Sequence, residues 1–166
     1  MLCRAALSPE QVAAYDAIAS ASRRRELLTA IVMASSVLGR PLSHYDNGAP
    51  LLVGDDRRIS ISHTADFVAM AVDRKPVGVD IELLSRDVSS VAARVFAPEE
   101  RAAVDDLTLW CVKEAAYKAS GREGIDFRRD VRVSSSGRGA FEVFVATDRV
   151  EVVSFSLYGL MVAVTV

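Results

Sequence analysis

Two acidic residues interrupt an otherwise apolar segment near the middle of the chain. Asp80 and Glu82 alternate with Val79 and Ile81, and residues 76–84 contain no other charged residue. A strand would place both carboxylates on one face, next to a core. Neighbouring carboxylates beside a core are unfavourable unless a cation or protons compensate them. The segment therefore predicts a strand with a divalent metal site, although these residues alone also fit an edge strand with an exposed acidic face.

Residues 110–118 carry a second charged pattern. Glu114 and Lys118 are four residues apart, so a helix would place the carboxylate and the ammonium on one face. As an exposed ion pair they would contribute about 0.3–0.5 kcal/mol. The neighbouring residues, which include Trp110 and Tyr117, are largely apolar, so this helix is unlike one whose charged face is simply exposed to solvent. We therefore interpret Glu114 and Lys118 as functional residues carried by this helix.

These two segments resemble the signature of the 4'-phosphopantetheinyl transferases. Residues 78–82 match the family's Gly-(Ile/Val)-Asp-(Ile/Val)-Glu strand, and residues 110–118 match its Trp-x-x-Lys-Glu-(Ala/Ser)-x-x-Lys helix. Residues 59–64 resemble the Ile-Ser-His-Ser element of the larger class of these enzymes, and residues 47–50 resemble its Gly-Lys-Pro turn. The order and spacing match from about residue 25 to residue 125, so the resemblance covers most of the chain.

The resemblance implies an activity and a set of catalytic residues. Enzymes of this family move the phosphopantetheine arm of coenzyme A to a serine of an apo carrier protein and release adenosine 3',5'-bisphosphate. Asp80, Glu82 and Glu114 would bind Mg²⁺, with Mn²⁺ as the alternative. Glu114 would also act as the base or orient it, and Lys118 would balance charge at the diphosphate. Whether the carrier belongs to a fatty-acid, polyketide or peptide synthase stays open.

The resemblance also implies which residues contact coenzyme A. Lys113 would touch one of its phosphates, and Ser62 and His63 would meet its 3'-phosphate end. Arg25 lies near the position where the family places further basic residues for this phosphate. Without the motif, a single histidine such as His63 is more often a local hydrogen-bonding residue than a ligand.

One residue departs from the family pattern. Ala49 stands where the family commonly has a lysine for the 3'-phosphate. We therefore expect Arg24, Arg25 or Arg58 to compensate, or else a weaker hold on coenzyme A at that end.

The order of predicted elements indicates an α+β fold. The resemblance implies two pseudo-symmetric α+β halves with the coenzyme A site in the cleft between them. The division would give residues 1–75 as a short N-terminal half and 76–166 as the C-terminal half, in one compact unit. We predict five helices: two that begin at residues 9 and 98, and three over 22–38, 87–96 and 107–119. Strands are predicted over 58–62, 67–72, 77–82, 131–134, 141–146, 151–157 and 160–166. Residues 41–50 are predicted to form a loop.

Composition narrows the function classes further. A net charge of −2 gives no electrostatic reason to expect nucleic acid as a partner. No apolar run approaches the roughly 20 residues that span a bilayer, and Pro9 and Glu10 interrupt the region where a signal peptide would be apolar. We expect a cytoplasmic monomer with no membrane partner. Cys3 and Cys111 suggest no disulfide framework, and Cys111 is interpreted as a small buried apolar residue.

Two rival interpretations remain open from the sequence. One is a catalytically weak or inactive family member that acts as a carrier-protein or nucleotide-binding module. The other is a different metal-dependent phosphotransferase, in which the matches at residues 47–50 and 59–64 are accidental.

Overall fold

The computed structural model describes residues 7–166, apart from the side chains of Glu10, Ser135 and Ser136. The predicted state of Cys3 lies outside these residues. Helices and strands mix along the chain as the α+β prediction requires. Their order is α1 (Pro9–Ala17), α2 (Ala21–Leu38), β1 (Leu42–His44), β2 (Pro50–Leu52), β3 (Arg58–Thr64), β4 (Phe67–Asp73), β5 (Val79–Leu83), α3 (Ser89–Val95), α4 (Pro98–Ala103), α5 (Asp106–Ser120), β6 (Val131–Gly137), β7 (Ala140–Val145), β8 (Asp148–Leu157) and β9 (Leu160–Thr165).

The C-terminal half is built around a five-stranded antiparallel sheet of order β5-β9-β8-β7-β6. Helix α5 packs on one face of this sheet and buries its apolar side there. The strand-to-helix approach is closest at Gly78, where a Cβ atom would lie 1.8 Å from the carbonyl oxygen of Ala115. The core between helix and sheet includes Cys111, Val112, Ala115, Ala116, Val143, Val145 and Val152.

The N-terminal half packs α2 against two hairpins, β1–β2 and β3–β4. A serine caps the N-terminus of both α1 and α2, as the sequence indicated for α1. The Ser8 hydroxyl accepts a hydrogen bond from the Gln11 N–H, and the Ser20 hydroxyl accepts one from the Arg23 N–H. Gly39 ends α2 in the left-handed conformation, which favours glycine.

The predicted loop over residues 41–50 is wrong in part, because β1 and β2 pair there as a hairpin. The facing residues Leu42 and Leu52 are both buried against α2 and β3. The polar residues between them form the turn, in which Tyr45 donates its N–H to the carbonyl of Ala49 at 2.8 Å. Two buried leucines thus override the turn-forming composition that predicted a loop.

Two serines join the halves where β3 runs beside β5. The Ser60 hydroxyl accepts a hydrogen bond from the Val79 N–H at 3.0 Å, and the Ser62 hydroxyl accepts one from the Ile81 N–H at 3.2 Å. Side chains of β3 therefore satisfy backbone donors of β5 that have no paired strand on that side. This junction turns the β5 carboxylates toward β3 and α5.

Within the described residues, no helix is long and apolar enough to cross a membrane. The α+β class is confirmed, while the pseudo-symmetry of the halves and the division at residue 75 stay predictions.

Candidate active site

Asp80 lies at the centre of the charged residues that the sequence singled out. Its side chain is almost fully buried, and its Oδ1 accepts hydrogen bonds from Lys118 Nζ at 2.7 Å and from Ser62 Oγ at 2.8 Å. Its Oδ2 has no hydrogen-bond partner in the described part of the chain. A buried carboxylate oxygen without a partner is unfavourable, and a cation would relieve it.

Glu82 lies on the same face of β5 and is also buried. It accepts a hydrogen bond from Thr64 Oγ1 at 3.1 Å and pairs with the Arg86 guanidinium. A turn in which the Arg86 N–H bonds to the Leu83 carbonyl brings this arginine back over the carboxylate. The guanidinium also sits over the Trp110 ring, 5.5 Å from its centroid. Sequence reasoning missed Arg86, because only the turn after β5 places it here.

Glu114 reaches the same region from α5. Its carboxylate is partly buried and accepts no hydrogen bond from any residue that the structure describes. Burial raises the pKa of Glu114, and the negative charge of Asp80 raises it further, while Lys118 and Arg86 act in the opposite direction. The helix and the strand thus bring two acidic groups into electrostatic contact, as the sequence predicted.

The acidic residues suit a hard divalent cation, although their side chains are not gathered around one point. Among residues 7–166, no three His, Cys, Asp or Glu side chains are grouped closely enough to hold a metal ion. Asp80 nevertheless offers an unpartnered oxygen, and Glu114 offers a carboxylate without a hydrogen bond. Mg²⁺ prefers such oxygen ligands and retains waters and phosphates beside them. In their chemistry Asp80 and Glu114 fit such an ion, whereas Glu82 is paired with Arg86.

Lys118 connects this acidic centre with the space between the two halves. Besides Asp80 it bonds the Val79 carbonyl at 3.1 Å, and its side chain remains 28% exposed. It lines two clefts of about 340 and 350 Å³ that the predicted turn at residues 47–50 also lines. Residues of both predicted halves therefore face each other across these clefts, whose shared lining is Asn47, Ala49, Pro50, Ile59, Lys118 and Gly121.

The arginines proposed to compensate for Ala49 lie in different places. Arg58 lines the 340 Å³ cleft together with Ala49 and has no ion pair with any described residue. Arg24 is committed elsewhere, since its Nε donates to the Ile18 carbonyl and its guanidinium stacks on the Tyr15 ring. Arg58 is therefore the best placed of these two.

His63 lines a neighbouring groove of about 500 Å³, beside α2. It contacts the Arg23 guanidinium, and its Nδ1 lies 3.3 Å from the Glu26 carboxylate. Burial lowers the pKa of His63; the charges of Arg23 and Lys118 also lower it, while Glu26 opposes them. Arg25 does not join this group: it points to Asp66, 3.9 Å away. Arg23, and not Arg25, is the arginine of this helix that contacts His63, and the phosphate contact of Arg25 stays a prediction.

Ser62 has a different role from the predicted one. Its hydroxyl is buried, donates to Asp80 and accepts from the Ile81 N–H. These bonds fix the carboxylate in place, and they leave the hydroxyl turned away from solvent. The predicted phosphate contact of Ser62 does not fit this structure.

Lys113 also departs from its predicted role. Its side chain is fully buried, and its ammonium bonds the carbonyls of Val95 and Phe127, each at 2.9 Å, and the carboxylate of Glu100 at 2.8 Å. Three partners use all three N–H donors of the ammonium. The expectation that Lys113 contacts a phosphate is corrected: it ties α5 to neighbouring segments.

Comparison with known proteins agrees with the motifs. The chain is 32% identical over 101 residues to a 4'-phosphopantetheinyl transferase of Bacillus subtilis. The matched region covers 53% of this chain and 45% of that protein. It is 36% identical over 78 residues to the 4'-phosphopantetheinyl transferase psf-1 of Bacillus pumilus, covering 41% and 33% respectively. The matches thus span less than half the length of these relatives.

The family comparison covers half of the chain. A sequence model of the 4'-phosphopantetheinyl transferase superfamily matches residues 76–158, the segment that contains Asp80, Glu82, Glu114 and Lys118. The chain belongs to the 4'-phosphopantetheinyl transferase superfamily.

Proposed function

We propose that the protein transfers 4'-phosphopantetheine from coenzyme A to a serine of an apo carrier protein, in a reaction that depends on Mg²⁺. The observation that carries the proposal is the buried Asp80 carboxylate. One of its oxygens binds Lys118, and the other has no hydrogen-bond partner in residues 7–166 as described. Asp80 lies near Glu114, and its partner Lys118 lines a cleft to which both predicted halves contribute. Family membership and the names of the relatives support the same reaction class.

Substrate phosphates would replace protein groups as partners of the site cations. Lys118 is partly exposed, and its Nζ can turn from Asp80 toward a phosphate in the cleft that Lys118 lines. There it would stabilise negative charge on the leaving oxygen, where charge grows most in the transition state. A divalent ion held by Asp80, Glu114 and Glu82 would neutralise further charge on the diphosphate.

The transfer itself is a substitution at phosphorus. The serine oxygen of the carrier attacks the β-phosphorus of coenzyme A, and the bond from that phosphorus to the bridging oxygen breaks. The electron pair stays on the bridging oxygen, which leaves as part of adenosine 3',5'-bisphosphate. Glu114 takes the serine proton. Its carboxylate accepts no hydrogen bond from another described residue, so an oxygen is available for this proton.

The two cleft regions suggest how coenzyme A lies. The diphosphate would lie beside Lys118, and the 3'-phosphate would lie near the turn at residues 47–50. This turn lines the clefts beside Lys118 and also the groove of His63 and Arg23. Arg58 lies on the wall of the first cleft and can provide the phosphate cation that Ala49 lacks.

Mass spectrometry of a panel of apo carrier proteins tests the proposal directly. We expect a mass gain equal to the phosphopantetheine arm after incubation with coenzyme A and Mg²⁺ or Mn²⁺, together with released adenosine 3',5'-bisphosphate. EDTA and Lys118→Met should each suppress both products. Coenzyme A binding without a mass gain on any carrier would favour the binding module. Phosphoryl transfer without the bisphosphate product would favour a different phosphotransferase.

A further inference from the structure

Each of the two β5 carboxylates forms an ion pair with a different cationic side chain of the protein. Lys118 binds Asp80 and Arg86 binds Glu82. Neither carboxylate is more than 7% exposed, so neither can rely on water for compensation. The two carboxylates that would hold a metal ion are therefore already compensated without it.

Arg86 is the more easily displaced of the two cations. It lies in the turn after β5, and its side chain is 42% exposed. Among the described residues its guanidinium pairs with Glu82, lies over the face of Trp110 and acts on Glu114 through its charge. Lys118 by contrast has a second bond, to the Val79 carbonyl, and is 28% exposed. A guanidinium also matches a phosphate as well as a carboxylate, because its planar donors can bind either in a bidentate manner.

We propose that Arg86 is an exchangeable counter-cation of Glu82, which competes with the divalent ion and moves to a substrate phosphate when the ion binds. The proposal rests on the proposed metal site and goes beyond it in assigning a role to Arg86. Glu82 is compensated by Arg86 in the metal-free protein and by the metal ion in the loaded one. As a consequence, the metal binds weakly alone and more tightly when a diphosphate ligand offers Arg86 a new partner.

Trp110 provides a direct probe of this exchange. It is the only tryptophan in the chain, and the Arg86 guanidinium lies over its ring. Departure of a cation from the ring face changes the environment of the indole. Titration of the wild-type protein with Mg²⁺ in the presence of coenzyme A should therefore change Trp110 fluorescence.

Mn²⁺ binding measured by electron paramagnetic resonance tests the competition. Arg86→Gln removes the competing charge, so we expect Mn²⁺ alone to bind on the order of tenfold more tightly than to wild type. This variant should also lose the ligand-dependent change in Trp110 fluorescence. Arg86→Lys keeps a cation and should remain within about threefold of wild type. Arg101→Gln is the matched control, because Arg101 pairs with Asp106 on the surface.

The outcomes separate this proposal from the proposed function. Equal Mn²⁺ affinity in wild type and Arg86→Gln would overturn the exchange and leave the metal site standing. Weaker binding by Arg86→Gln would also overturn it, because Arg86 would then support the site. Absence of Mn²⁺ binding in every variant would overturn both the metal site and the exchange. The wild-type fluorescence titration needs no variant, and an unchanged Trp110 signal on saturation with both ligands contradicts the exchange even if Arg86→Gln fails to fold.

Discussion

Lys118 and Asp80 form an ion pair of 2.7 Å in which only one of the two carboxylate oxygens takes part. The pair links helix α5 to strand β5, and the second oxygen is buried without a hydrogen-bond partner among the described residues. Both residues lie at the boundary between the two predicted halves, where a ligand in the cleft can reach the lysine. The pair thus connects α5 with β5, and it is the arrangement of the proposed site without bound ligands.

Asp80→Asn should remove transfer activity and leave a folded protein. Loss of the charge removes a metal ligand, and we expect a rate reduction of more than about a hundredfold. In this variant Lys118 still donates a hydrogen bond to the Val79 carbonyl, and its side chain still reaches solvent. The free energy of unfolding should therefore fall by only about 1–2 kcal/mol. Transfer assays and urea unfolding measure the two effects. The control is Asp106→Asn, which alters the more exposed pair of Asp106, in α5, with Arg101, in α4. Near-normal transfer by Asp80→Asn would contradict the metal assignment.

Lys113→Met should destabilise the protein without a specific effect on coenzyme A affinity. It leaves the Glu100 carboxylate buried without its cation, which typically reduces the free energy of unfolding by about 3–5 kcal/mol. Adding Glu100→Gln should recover part of that loss, because the buried charge is then gone. Chemical denaturation of both single variants and the double variant measures the coupling. Unchanged stability with weakened coenzyme A binding would restore the phosphate contact that the structure argues against.

Glu114→Gln should change how stability depends on pH. Burial and Asp80 raise the pKa of Glu114 in the folded state, so the folded protein binds this proton more tightly than the unfolded chain does. Between the ordinary and the raised pKa, wild-type stability must therefore fall as pH increases, and it recovers as pH decreases. Glu114→Gln should lack this component. Urea unfolding across a pH series checks the difference between the two proteins.

The same ionisation should control the reaction. Glu114 acts as a base only when it is deprotonated, so the transfer rate at saturating substrates should rise with pH through its raised pKa. Saturating metal should shift that rise to lower pH, because a bound cation favours the carboxylate. A profile that is identical at low and high metal concentrations would argue against Glu114 as a metal ligand.

Ala49→Lys tests whether the turn faces a phosphate of coenzyme A. Ala49 lines both clefts beside Lys118, and a new ammonium there should tighten coenzyme A binding by about 0.5–1.5 kcal/mol. Dephospho-coenzyme A, which lacks the 3'-phosphate, should show no gain, and the gain should shrink with salt. Val53→Lys, on an exposed residue that lines neither of these clefts, is the control for charge alone. Calorimetry with both ligands gives the comparison, and equal gains would contradict the placement.

Local patterns predicted most of the elements with small errors in their ends. The helix predicted over 107–119 is observed as Asp106–Ser120, and Gly121 ends it as expected. The strand predicted over 77–82 is observed as Val79–Leu83. These elements are set by side-chain periodicity and by terminal residues, both of which can be read along the chain. The hairpin of β1 and β2 was missed because its two leucines are buried only by contact with α2 and β3.

The neighbours Lys113 and Glu114 show where sequence reasoning fails. Adjacent residues of a helix point about 100° apart, so at most one of them faces a given cleft squarely. The motif assigned ligand contacts to both. Gly78, the residue before β5, lies so close to Ala115 of α5 that the contact constrains the rotation of the helix. That rotation turns Lys113 into the core and leaves Glu114 beside Asp80.

The sequence by itself determined which groups are available and which elements carry them. Alternation placed Asp80 and Glu82 on one face of a strand, and spacing placed Glu114 and Lys118 on one face of a helix. Only the tertiary structure decided their partners, because a hydrogen bond or ion pair between distant segments depends on how the elements pack. It placed Ser62 against Asp80 and Arg86 against Glu82. Burial then left one Asp80 oxygen without a partner in the part of the chain that the structure describes, which no local pattern could show.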